Sequence, residues 1–194
     1  MLRHLTFTLL AIFIICACSS SLPRVDVVRS GLKHPCRVII LPFVNQTDNP
    51  SVGRFLYRIL FSELIESNMF QVVPEGTVRR FMTMERCLIG QPLSPELTKL
   101  LAKRTGAEAI ISGEVIQVVD RGEDIQLAFN IWVRDIQTGK LLWNTYHRRS
   151  GEDYRKALHF GRIYTLTGLA KRMVDEVIKS WQKRGLGGCQ ESAK

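Results

Sequence analysis

Arg37-Val38-Ile39-Ile40-Leu41-Pro42-Phe43-Val44-Asn45-Gln46-Thr47 is the stretch that decides the fold. Residues 38–41 form an unbroken apolar run, rich in β-branched side chains and too short for a buried helix. Such a run reads as a strand covered on both faces, since neither side of it meets water. Pro42 cannot donate to a ladder, so it marks the strand's end or a bulge. Asn45, Thr47, Asp48 and Asn49 then supply turn and cap chemistry, and Pro50 suits the first turn of a helix. A buried strand running into a capped helix opens an α/β layer structure.

Downstream, Val52, Phe55, Leu56, Ile59, Leu60 and Leu64 keep helical spacing to about residue 67. Residues 70–73 read as a short strand closed by Pro74, and residues 75–85 as a helix with Val78, Phe81 and Met82 inward. Ser94 caps a further helix with Pro95 at its first position, and Gly106 ends it in the left-handed conformation. Residues 109–119 form a long strand, and residues 120–124 a polar turn. Ile125, Leu127, Phe129, Ile131 and Val133 then alternate with Gln126, Ala128, Asn130, Trp132 and Arg134, the pattern of a half-buried antiparallel strand. Residues 135–139 turn the chain into a returning strand at 140–149. Ile163, Leu166, Ala170, Met173, Val174, Val177 and Trp181 make a long amphipathic helix ended by Gly185. The fold class is therefore α/β: one domain, with a mixed sheet of strand-helix units followed by an antiparallel three-strand meander. Helices flank that sheet.

Upstream of this domain the pattern is one of delivery. Arg3 and His4 precede an apolar run over residues 5–17, broken by Ser19, Ser20, Ser21 and Pro23. That run is too short to span a bilayer core of about 30 Å and suits a secretory leader. Ile15-Cys16-Ala17-Cys18 resembles a bacterial lipobox, which implies cleavage before Cys18 and acylation of its sulfur and new amino group. Ser19 is not the aspartate that retains lipoproteins at the inner membrane, so the resemblance implies the periplasmic face of the outer membrane. Several acyl chains on one residue give lasting attachment. The organisation expected is a signal peptide at 1–17, a lipidated flexible tether at 18–35, the α/β domain at 36–184 and a disordered tail at 185–194. As a flexible coil, residues 19–35 would span about 20–25 Å, holding the domain near its membrane.

The 194 residues carry a net charge of +9 and five cysteines. Cys16 leaves with the leader and Cys18 is acylated, so Cys36, Cys87 and Cys189 remain as unpaired thiols or a single bridge. None has the spacing of a zinc site. Export makes nucleic acid an unsuitable partner despite the basic balance. The basic clusters, among them Arg79-Arg80, Lys103-Arg104 and Lys171-Arg172, read as solvated helix faces or as contacts to anionic lipid or an acidic glycan.

Residues 39–47, Gly106-Ala107-Glu108-Ala109-Ile110-Ile111-Ser112-Gly113-Glu114-Val115 and residues 135–143 resemble the TolB amino-terminal-domain-like lipoproteins, the group that includes CsgG, LpoB and PelC. The resemblance spans residues 37–183 and implies the same α/β fold in a bacterial envelope lipoprotein. The chain departs from it in lacking a propeller, a barrel-building hairpin insertion and a long linker. The short tether is nearest PelC, whose relatives form a ring beneath the outer membrane.

No catalytic constellation emerges. His-Glu-x-x-His, Gly-x-Ser-x-Gly and Gly-x-x-x-x-Gly-Lys are absent, and His34, His147 and His159 stand apart from any ligand or nucleophile at telling spacing. No cofactor is implied. Trp132, on the polar side of its strand, is either covered by a helix or an interface anchor, and Tyr146 with His147, Arg148 and Arg149 belongs to the same candidate partner surface. The leading expectation is a non-catalytic adaptor or assembly factor with a protein partner in the envelope. The rivals are a homo-oligomeric ring serving polymer or protein export, and an envelope hydrolase or transferase.

Overall fold

The computed structural model describes residues 24–26, 34–88, 90–156 and 160–189. β1 (Arg24–Asp26) comes first, and the opening stretch supplies β2 (Arg37–Ile40) and β3 (Val44–Asn45), parted at Pro42 as its missing N–H requires. Then follow α1 (Val52–Ser67), β4 (Gln71–Val72), α2 (Glu75–Met84) and α3 (Pro95–Thr105). The meander is β5 (Ala109–Arg121), β6 (Asp124–Asp135) and β7 (Leu141–Ser150). A 3-10 turn at Gly151–Tyr154 and α4 (Leu166–Lys183) complete the described chain.

The strands form one seven-stranded sheet in the order β1-β7-β6-β5-β2-β4, with β3 also pairing β5. β2 runs parallel to both β4 and β5, whereas β5, β6 and β7 are antiparallel. This is the mixed α/β sheet expected from the pattern. β2 is buried on both faces because its side chains divide between two cores. Val38 and Ile40 join the core under α1 and α4, while Ile39 and the following Leu41 join that under α2 and α3. In the meander, Ile125, Leu127, Phe129, Ile131 and Val133 are at most 2% exposed, all on the α1/α4 side. Against them α4 buries Leu169, Met173, Val174, Val177 and Trp181, each contributing about 1.5–3 kcal/mol by leaving water.

Local chemistry explains the boundaries. Asn45 Oδ1 accepts from the Thr47 amide and hydroxyl, and Asn49 Oδ1 accepts from the Ser51 amide, shaping the run into α1. Ser94 Oγ accepts from the Leu97 amide to start α3, and Gly106, at φ +69°, closes it. Gly113 is small for want of space. A Cβ there would meet the Asn130 carbonyl at 2.7 Å and the Phe43 ring at 2.8 Å. Phe43 of the opening stretch therefore packs directly on the glycine of the Ser112-Gly113-Glu114 stretch.

The domain is larger than its pattern suggested, at both ends. Part of the expected flexible tether is structured: Arg24–Asp26 pairs antiparallel with β7, whose outer edge otherwise presents unpaired N–H and C=O groups, and Pro35 is buried. The expected disordered tail begins too early. Leu186 is 9% exposed within the core, its amide donates to the Trp181 carbonyl, and Cys189 forms a disulfide with Cys36 across 153 residues of sequence. Cys87 is free and half-buried. The leader, Cys18, His159 and residues 190–194 lie outside the described residues.

Candidate interaction surface

Strand alternation sorts the candidate surface residues onto two faces. Across β6 and β7, Trp132 lies opposite Asn144, Asn130 opposite Tyr146 and Ala128 opposite Arg148, so Trp132, Tyr146 and Arg148 share one face. His147 lies opposite Phe129 and Arg149 opposite Leu127, on the face that packs under α4.

On the first face the Trp132 ring is half-buried, forming one wall of a groove of about 440 Å³ with Pro42, Pro92, Leu93 and the start of α3. The two readings of Trp132 thus meet: α3 and the loop before it approach the ring without closing over it. Tyr146 is 41% exposed and Arg148 is exposed. Between the two rings stand Asn130 and Asn144, whose Oδ1 atoms are buried and accept no hydrogen bond.

His147 and Arg149 do not belong to this surface. His147 is fully buried, with Nε2 2.9 Å from Glu176 Oε2 on α4 and its ring edge-on to Phe129 at 5.7 Å. Arg149 Nε lies 3.6 Å from the same oxygen, and Arg172 Nε lies 3.7 Å from Oε1. Burial acts to raise the Glu176 carboxyl, but His147, Tyr154 and Arg149 outweigh it and hold the group below its ordinary range. These residues bolt α4 to the sheet. The period of two along β7 carries that information, since it sets His147 on the side of the buried Trp143.

Several basic residues are engaged by acids on the helices or at their ends. Arg79 pairs with Glu75, Arg104 with Glu85 at 3.2 Å and Lys171 with Glu63 at 3.2 Å, as solvated helix faces do. Among the described residues no three His, Cys, Asp or Glu side chains are grouped to hold a metal ion. No described helix is long and apolar enough to cross a membrane.

Element order, mixed sheet and flanking helices define a one-domain α/β module whose fold recurs in solved structures, one of them a lipoprotein. The chain is similar to the PelC dodecamer from Paraburkholderia phytofirmans, at 16% identity and a TM-score of 0.54, over 82% of this chain and 96% of that one. It is similar also to the lipoprotein GNA1162 from Neisseria meningitidis, at 16% identity and a TM-score of 0.55, over 77% of this chain and 99% of that one. A hypothetical protein of Chlamydia trachomatis, CT253, aligns at 14% identity and a TM-score of 0.50, over 78% and 97%. At these identities the likeness is one of fold. No protein-family model matches the sequence. No curated protein matches it.

Proposed function

We propose that this chain is a periplasmic lipoprotein, anchored through Cys18 in the outer membrane, that works as a non-catalytic adaptor or assembly factor. The observation that carries the role is the face that sets half-buried Trp132, beside an open groove, together with exposed Tyr146. The lipobox-like residues 15–18 and the fold shared with the lipoprotein GNA1162 support the setting, as does the Cys36–Cys189 disulfide, which belongs in an oxidising compartment. The mechanism is contact: an anchored domain meets its neighbour at high effective concentration, so modest surfaces suffice.

A photo-crosslinker placed at residue 132 or 146 in cells is expected to capture one defined envelope protein, and the same label at Lys179, exposed on α4 across the sheet, is not. Recovery of neighbouring lipid alone from all three positions would overturn the adaptor role. The dodecameric state of the PelC structures supports a second reading, a homo-oligomeric ring serving export. The mass of the chain from residue 19 in solution separates the two, and a monomer at high concentration rules against the ring.

A further inference from the structure

We infer that the end of the domain carrying Phe160 and Tyr164 rests on the phospholipid surface, with the Phe160 ring seated among the headgroups. The inference builds on the acylation of Cys18 proposed above. β1 supplies the direction. Arg24 pairs with Tyr146 and Asp26 with Asn144, so the chain arrives from the Ser150 end of β7. At that end β7 meets the start of β6, Ser150 lying opposite Gln126, beside the β5–β6 turn at residues 122 and 123. Residues 160–164 lie there too, because Arg162 pairs with Glu123 at 3.0 Å and the Ile163 amide donates to the Gly151 carbonyl. Six residue steps separate Cys18 from Arg24, which no extended chain stretches beyond about 20 Å.

What waits at that end suits a lipid interface. Phe160 is 70% exposed and Tyr164 50% exposed. The Phe160 ring stands out from a held backbone. Its carbonyl accepts from the Lys156 amide at 2.7 Å, and Gly161 beside it is backed by the Tyr154 carbonyl. Arg162, fixed by Glu152 at 2.7 Å, lies 5.0 Å over the Tyr164 ring. Tyr settles at membrane interfaces with its ring apolar and its hydroxyl wet, and an exposed Phe beside it adds apolar area for the acyl boundary. Charge contributes little there. Glu123 and Glu152 pair with Arg162, Glu152 also with Arg155, and Asp153 accepts from the Ser150 amide. Asp120 and Asp124 offset Arg121 and Lys156, and the exposed Arg148 offsets Asp153, so the contact does not depend on anionic lipid.

The test uses the full mature, acylated chain in vesicles of phosphatidylethanolamine and phosphatidylglycerol, with or without bromine on the upper acyl carbons. Phe160→Trp adds a reporter at the proposed contact. Gln137→Trp adds one at the β6–β7 turn, a strand length away at the opposite end. Brominated lipid is expected to remove most of the emission added by F160W and none of that added by Q137W, whether or not phosphatidylglycerol is present. A chain that floats with the vesicles while F160W stays unquenched, or while both reporters are quenched alike, overturns this orientation alone. A chain that does not float overturns the acylated anchor, and this inference falls with it.

Discussion

Glu176 shows how one side chain can carry several elements. It faces His147 and Arg149 from β7, Arg172 from its own helix and Tyr154 from the 3-10 turn, so its carboxylate closes the joint between α4 and the sheet. Glu176→Ala is expected to destabilise the domain by about 1–3 kcal/mol in urea titrations, because it strands the buried imidazole and removes the counter-charge of Arg149. The pH dependence has a definite sign. A carboxyl held below its ordinary range in the folded state contributes stability that is present above the unfolded pKa and lost as the pH falls through the folded value. Unfolding between pH 7 and pH 3 should therefore show a steeper acid loss in the wild type than in Glu176→Gln. Equal slopes would mean that another carboxyl dominates.

Among the elements, the contact of Phe43 on Gly113 joins the first parallel strands to the meander. Gly113→Ala is expected to cost about 1–3 kcal/mol, as overpacking does. That penalty should shrink in a Phe43→Ala background, where the ring no longer opposes the new methyl although the Asn130 carbonyl still does. Additive penalties in chemical denaturation would show that the ring yields freely. The elements with their own local signature were readable beforehand. Residues 38–41 announce a strand covered twice, Ser94, Pro95 and Gly106 bracket α3, and the alternation from Ile125 sorts β6 into two faces. β1 was not readable, since Arg24-Val25-Asp26 has no strand pattern and is a strand only because β7 offers it an edge. The candidate surface was half readable. Trp132 and Tyr146 do share a face, but grouping His147 and Arg149 with them followed adjacency in sequence where a strand demands a period of two.

For the molecule as a whole, the Cys36–Cys189 bridge closes nearly the entire domain into one loop, and nothing local in the sequence selects that pair over one with Cys87. Reduction, or joint replacement by serine, is expected to lower stability by about 2–5 kcal/mol, chiefly by enlarging the unfolded ensemble. Urea unfolding with and without reductant measures it, and an unchanged midpoint would show that the unfolded chain is already constrained. The bridge also governs how the protein takes a mechanical pull. Among the described residues, tension arriving from the N-terminal side meets β1 and the buried Pro35 before it reaches Cys36. There the sulfur link divides the load between the first buried strand and the far end of the last helix. Neither can be unzipped by itself, so with the proposed anchor at Cys18 the core would hold while that leash is tugged.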